Sequence, residues 1–277
     1  EVRALQAAPG GRLYDAHNHL QDERLAPFLE NILPTLAREG VARMVVNGSS
    51  EADWPRVLEL AQANPMVLPS FGYHPWYVRE RSPEWLERLG EFLDKVPSAI
   101  GEIGLDRWIQ PHDIDDQQEV FVAQLRLAAE RSLPVSIHCL QAWGKLLELL
   151  RAGPRPRCGF VLHSFGGPKE MIPELTRLGA YFSLPGYFAH ERKGRQREAF
   201  QSVPPDRLLI ETDAPDQSLP PSRTLYPLAD ARTGKPINHP ANLRAVYLFA
   251  AELLGLPIQT LAAQVEQNFK AIFGAPA

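Results

Sequence analysis

An α/β protein folded as a single (β/α)8 barrel is what three features of the 277-residue chain predict. Eight apolar, often β-branched runs recur along the chain, and most are separated by segments of helical period. Six histidines and acids fall at the ends of five of those runs. Strands alternating with helices imply a parallel sheet, and eight such units close into a ring. A doubly wound open sheet is the alternative. It would hold the ends of the first, fourth, fifth, sixth and eighth strands too far apart to share one site.

The runs are Leu13–Leu20, Val41–Gly48, Val67–Pro75, Ala99–Asp106, Pro134–Leu140, Gly159–Phe165, Tyr181–Gly186 and Leu208–Pro215. Between the third and fourth, Ser82-Pro83-Glu84 reads as a helix start, with a serine cap and proline at the first helical position. Phe121, Leu125 and Ala128 form one helical stripe, and Trp143, Leu146, Leu147 and Leu150 form another. Pro215–Pro240 is rich in proline and polar residues and too long for a βα turn, so it reads as an elaborated loop over the catalytic face. Ala241–Leu254 and Ile258–Phe273, parted by Gly255-Leu256-Pro257, read as additional C-terminal helices. No boundary interrupts residues 1–277, which are expected to form one domain.

Hydrophobic residues make up 44% and charged residues 22% of the chain, the balance of a soluble globular protein. No apolar run approaches the roughly 20 residues that span a bilayer, so no membrane partner is expected. A net charge of −4 argues against a protein that coats nucleic acid with a general basic surface, though not against an enzyme handling one phosphate locally. Cys139 and Cys158 are too few for a disulfide scaffold and sit in apolar contexts that suit reduced, buried thiols. Glu1–Pro9 lacks a secretory pattern, and a cytoplasmic location is expected.

The chemistry is concentrated at strand ends. In Asp15-Ala16-His17-Asn18-His19, alternation puts Asp15, His17 and His19 on one face, the interior of a barrel. Two imidazoles there can clasp a cation, with Asp15 deeper and able to orient a ligand; backbone-bonded histidines are the plainer alternative. Glu102, in Gly101-Glu102-Ile103-Gly104-Leu105-Asp106, would be costly to bury as an unpaired anion. Its two oxygens can bridge two cations, or it can pair with an arginine. The flanking glycines favour metal by giving access to a bulky ligand or water, and Asp106 reads as a rim residue that caps a helix.

His138 and His163 each close an apolar strand, in consecutive βα units, and each alone would read as a satisfied core histidine. Cys139 points away from His138 and is excluded as a ligand. Asp213 ends the last strand, where it can bind a metal and accept a proton or simply cap a turn before Pro215, with Glu211 one step deeper in support. The run Arg192, Lys193, Arg195 and Arg197 is either a solvated face or a clamp on a neighbouring phosphate. Tyr73, Trp76, Trp108 and Trp143 either pack or stack on bases.

Asp15–His19, Gly72-Tyr73-His74-Pro75, Gly101–Asp106, His138, His163 and Glu211-Thr212-Asp213-Ala214-Pro215, in this order, resemble the signature of the TatD family of metal-dependent deoxyribonucleases, within the amidohydrolase superfamily. The match covers about three-quarters of the chain. The resemblance implies a TIM-like barrel, two divalent metal ions and hydrolysis of phosphodiesters, notably 3′-to-5′ removal of nucleotides from DNA. It implies that His17, His19, Glu102 and Asp213 hold one ion, that Glu102, His138 and His163 hold the other, and that His74 contacts the substrate phosphate. The departures lie on the substrate side: Leu140 stands where the family commonly has arginine, Arg107 intervenes before Trp108, Asp216 and Gln217 replace an aromatic, and Asn238-His239-Pro240 replaces Asn-Glu-Pro.

The reading is a two-metal hydrolase of DNA or a small phosphodiester. Asp213 serves as general base, Glu102 as the catalytic bridge, and Zn²⁺, Mn²⁺ or Mg²⁺ as the ions. A hydrolase of an amide, ester or lactone on the same scaffold is the first rival, and a non-catalytic barrel that keeps its metals is the second.

Overall fold

The computed structural model of the protein describes residues 11–274, so Glu1–Pro9, read above for a secretory pattern, lies outside it. Eight parallel strands follow one another around a ring: β1 (Leu13–Asn18), β2 (Val41–Asn47), β3 (Val67–Phe71), β4 (Ala99–Asp106), β5 (Val135–Leu140), β6 (Phe160–Leu162), β7 (Ala180–Pro185) and β8 (Leu208–Glu211). Helices α1 (Leu29–Arg38), α2 (Trp54–Ala63), α3 (Trp85–Lys95), α4 (Ile114–Arg131), α5 (Trp143–Ala152), α6 (Ile172–Arg177) and α7 (Gly194–Phe200) connect them. The additional helices α8 (Leu243–Leu254) and α9 (Ile258–Phe273) follow β8. This is the expected TIM-like barrel. Among the described residues, no single helix is long and apolar enough to cross a membrane.

Alternation along the strands sets the lining. Val45, Leu68, Ala99, Val161, Tyr181 and Leu209 belong to one apolar cluster at the barrel floor. Two residues further along the same strands, on the same face, come Asn47, Ser70, Gly101, His163, Ser183 and Glu211. The lining therefore changes from apolar to polar toward the C-terminal ends of the strands, where barrel active sites form.

Closure between β1 and β8 is uneven. At the upper end the backbone joins directly, Asp213 N donating to His17 O at 2.9 Å and His19 N to Ala214 O at 2.8 Å. Lower down, the hydroxyl of Tyr247 on α8 both accepts from Tyr14 N and donates to Tyr14 O, each at 3.0 Å, completing an edge that has no strand partner there. Tyr247 is fully buried. Tyr247→Phe would strand both backbone groups away from water, so it is expected to cost about 2 kcal/mol in a guanidinium titration.

Several local expectations need correction. Ser82 does not cap a helix: α3 begins at Trp85, and the Ser82 hydroxyl instead donates to Glu51 Oε1 at 2.7 Å. The elaborated loop 215–240 contains a short antiparallel ribbon, β9 (Pro227–Ala229) paired with β10 (Pro236–Asn238). Both cysteines are free, but only Cys139 is buried; Cys158 is half-exposed in the turn before β6.

The glycines of β4 serve packing rather than ligand access. A Cβ on Gly104, whose φ is +154°, would lie 1.9 Å from His138 O. One on Gly101 would meet Asn47 Oδ1, Ser70 Oγ and Ser136 Cβ, each at 2.9 Å. Only glycine lets β4 lie so close against β5 and the barrel interior.

Candidate metal centre

His17, His74, Glu102, His138, His163 and Asp213 all lie buried at the C-terminal mouth, with His19 partly exposed among them. Glu102 stands at the centre. Its Oε2 is 3.2 Å from both His17 Nε2 and His19 Nε2. Its Oε1 faces the other way, 2.8 Å from His163 Nε2, 3.0 Å from His138 Nδ1 and 3.4 Å from His74 Nε2. Asp213 Oδ1 joins the first group, 3.7 Å from His17 Nε2 and 3.5 Å from His19 Nε2. One carboxylate thus faces a separate set of ring nitrogens with each of its oxygens.

The spacing fits cations. Ligand atoms about 2.1 Å from a shared ion sit roughly 3.0–3.4 Å from one another. His17 Nε2 and His19 Nε2 are 3.3 Å apart, and His138 Nδ1 and His163 Nε2 are 3.2 Å apart. His17, His19 and Glu102 form one group of atoms able to hold a metal, and His74, Glu102 and His138 form another.

Ring partners decide which nitrogen is free. The Asn47 carbonyl, 2.8 Å from His19 Nδ1, can only accept, so a proton stays there and Nε2 is the nitrogen turned to Glu102, 3.2 Å from Oε2. Asp106 Oδ2, 2.8 Å from His138 Nε2, fixes the opposite tautomer and frees Nδ1. Ser136 Oγ holds His17 Nδ1 at 2.8 Å. Such orienting partners are typical of metal-ligating histidines. His74 differs. Its Nδ1 accepts the Trp76 N–H at 3.1 Å, which leaves Nε2 carrying a proton and suits His74 to donate a hydrogen bond rather than to ligate.

Asp106 is therefore not the rim cap expected from sequence. It is fully buried, and Trp76 Nε1 donates to the same Oδ2 at 2.7 Å. Its Oδ1 accepts from the backbone of Trp108 and Ile109. Alternation from Glu102 would have revealed its inward direction. Asp15 stitches the seam, accepting Thr212 N at 3.0 Å and Thr212 Oγ1 at 2.6 Å, and its Oδ1 also accepts the His17 backbone N–H at 3.2 Å. Glu211 sits deeper, as expected: Ser183 Oγ and Ser164 Oγ both donate to its carboxylate. Gln217 extends this chain, donating from Nε2 to Ser164 Oγ and to Asp213 Oδ2, each at 2.6 Å. Sequence reading missed Gln217, Asn47 and Ser136.

The charges follow from this geometry. Burial raises the Glu102 carboxyl, but the surrounding imidazoles of His163, His74 and His17 outweigh it and hold the group well below its ordinary range. Burial also opposes charge on His19, yet Glu102 and Asp213 lift it to about 10. Asp213 is pushed up to about 7, chiefly by burial. Its backbone is left-handed, with φ 52°. That conformation costs a non-glycine residue on the order of 1 kcal/mol and is concentrated at functional sites. Asp213 does not act as a side-chain turn cap: its carboxylate faces the histidines and Gln217.

The basic run divides. Arg197 is tied down by the carbonyls of Phe188 and His190, whereas Arg192 bonds the Tyr187 hydroxyl and Lys193 lies 4.8 Å above that ring. The aromatics divide too. Tyr73 is buried and Trp143 packs on Phe165, while Trp76 and Trp108 face solvent.

An α/β barrel whose mouth gathers imidazoles around a two-sided carboxylate is the architecture of a metal-dependent hydrolase. More specifically, the chain belongs to the TatD related DNase family, whose sequence model matches residues 14–274. It is 32% identical over 266 residues to the 3′-5′ ssDNA/RNA exonuclease TatD of Erwinia tasmaniensis, covering 94% of this chain and 99% of that protein. It is 30% identical over 264 residues to the uncharacterized metal-dependent hydrolase YabD of Bacillus subtilis, covering 94% and 98%. The crystal structure of YjjV, a TatD homolog from Escherichia coli, matches with a TM-score of 0.84 at 28% identity, covering 96% of this chain and 99% of that one. A TatD family hydrolase from Entamoeba histolytica shares the fold at 19% identity, with a TM-score of 0.82 and coverage of 97% and 100%.

Proposed function

We propose that the protein is a two-metal exonuclease that removes nucleotides from the 3′ ends of single-stranded DNA or RNA, acting in the cytoplasm through this one barrel domain. The observation that carries the reading is the division of Glu102. Oε2 with His17, His19 and Asp213 makes one ligand set, and Oε1 with His138 and His163 makes the other. The likeness to the 3′-5′ ssDNA/RNA exonuclease TatD of Erwinia tasmaniensis supports the substrate class and polarity. Mixed nitrogen and oxygen donors suit Zn²⁺ or Mn²⁺ and admit Mg²⁺.

When bound, the two cations supply Lewis acidity for displacement at phosphorus. The chain's own groups do the rest. The Asp213 carboxylate takes the proton of the attacking water: Oδ1 faces His17 and His19, and Oδ2, which accepts from Gln217, keeps a second lone pair for that proton. His74 Nε2–H donates to a phosphate oxygen. Asn47, Ser136 and Asp106 keep the rings of His19, His17 and His138 in their facing positions.

The test is a 5′-labelled single-stranded oligonucleotide incubated with the purified protein in Mn²⁺, Mg²⁺ or Zn²⁺, and with chelator. The expected result is a ladder shortening from the 3′ end, abolished by chelator. Hydrolysis of nitrophenyl esters with the labelled strand left intact would overturn the reading.

A further inference from the structure

Three of the largest exposed apolar side chains cluster on one arc of the mouth. Trp76 (40% exposed) follows β3, Trp108 (60%) follows β4, and Leu140 (39%) ends β5. Backbone pairing brings them together, since Arg107 N donates to Leu140 O at 3.0 Å. The indoles of Trp76 and Trp108 lie with centroids 6.4 Å apart and planes 32° from parallel. A soluble protein that leaves a tryptophan this exposed beside its active site offers a binding surface.

The patch is keyed to the candidate metal centre. Asp106 Oδ2 accepts from both Trp76 Nε1 and His138 Nε2, and Asp106 Oδ1 accepts the Trp108 N–H at 2.6 Å. The Trp76 ring also stands edge-on to His74, with centroids 5.0 Å apart. An apolar, flat, partly aromatic surface matches an unpaired base, because every base presents a π-face. Asp106 couples the plate to a candidate ligand, so a base seated on it sets the strand's register over the cluster.

We infer that Trp108 and Trp76, with Leu140 at their edge, form a stacking subsite for an unpaired nucleobase of the substrate strand. The inference rests on the nuclease reading above and extends it to the residues that choose single strands. Stacking is sequence-tolerant, so the subsite selects for unpaired bases rather than for a base identity.

Trp108→Ala is the suitable variant because the side chain is largely exposed and its loss leaves the Trp108 N–H bond to Asp106 in place. Steady-state cleavage is compared on an intact single-stranded oligonucleotide and on the same strand made abasic at its three 3′-terminal positions. Binding to chelated protein is followed by tryptophan quenching. On the intact strand, the variant is expected to raise KM about ten- to a hundredfold with kcat nearly unchanged, and Trp108→Phe to restore most of the loss. On the abasic strand, wild type and Trp108→Ala should coincide, and the intact strand should quench the wild-type emission.

A wild type that cleaves the strand alongside a Trp108→Ala variant with unchanged KM overturns the subsite alone, as does an equal loss on intact and abasic strands. A wild type that neither cleaves the strand nor is quenched by it overturns subsite and nuclease reading together. Sedimentation as a dimer that Trp108→Ala converts to monomer would assign the patch to self-association and overturn the subsite.

Discussion

Glu102→Gln is expected to remove at least one bound metal ion and to reduce turnover about a thousandfold, while leaving the barrel folded. Glutamine keeps the shape and one oxygen but replaces the other with an amide nitrogen that donates and cannot ligate. Whichever way the amide turns, either the His17–His19 side or the His138–His163 side meets N–H instead of an oxygen lone pair. A bound cation contributes several kcal/mol of charge stabilisation in the transition state, and each ~1.4 kcal/mol is tenfold in rate. Elemental analysis of the purified variant and single-strand cleavage measure the two effects, with far-UV circular dichroism as the control for folding. A variant holding two ions and cleaving at the wild-type rate would show that Glu102 is a buried counter-charge for the histidines and nothing more.

How much of this could be read beforehand depended on which atoms do the work. His17, His19, Glu102, His138, His163 and Asp213 were legible because a titratable group at the end of an apolar strand is costly unless it has a task, and six such groups converge only if the strands form a ring, whereas His74 came only with the family resemblance. The barrel itself followed from eight runs and their spacing, and the two C-terminal helices from the Gly255-Leu256-Pro257 break between them.

What stayed hidden is mostly backbone or shared surface. The Asn47 carbonyl that orients His19 has no side-chain signature. Tyr247 reads as one more apolar residue on a buried helix face, and only the gap between β1 and β8 gives its hydroxyl two partners. Gln117 lies on the apolar stripe of Phe121 and Leu125, where a polar residue was the available hint. It donates to Asp106 O and accepts from Asp106 N, fixing the end of β4. The β9–β10 ribbon escaped because its strands are three residues long and each begins with proline.

Asp213→Asn separates ligation from proton transfer. Asp213 is placed with unusual definition: its N–H is held by His17 O, its φ is 52°, and its Oδ2 receives Gln217. Asparagine tolerates the same left-handed backbone, so the loop should keep its course. A positioned general base contributes typically ~10²–10⁴-fold, and kcat is expected to fall by that amount with KM little changed.

The pH profile carries the sharper reading. Burial sets the Asp213 carboxyl at about 7, and cations beside it draw it lower. A base works only when deprotonated, so wild-type activity should rise with pH through a limb on the acid side of neutrality and then level off. The asparagine variant should lack that limb while retaining both ions. Loss of one ion by elemental analysis would make Asp213 chiefly a ligand, and an unchanged kcat with the acid limb intact would remove it from the chemistry altogether.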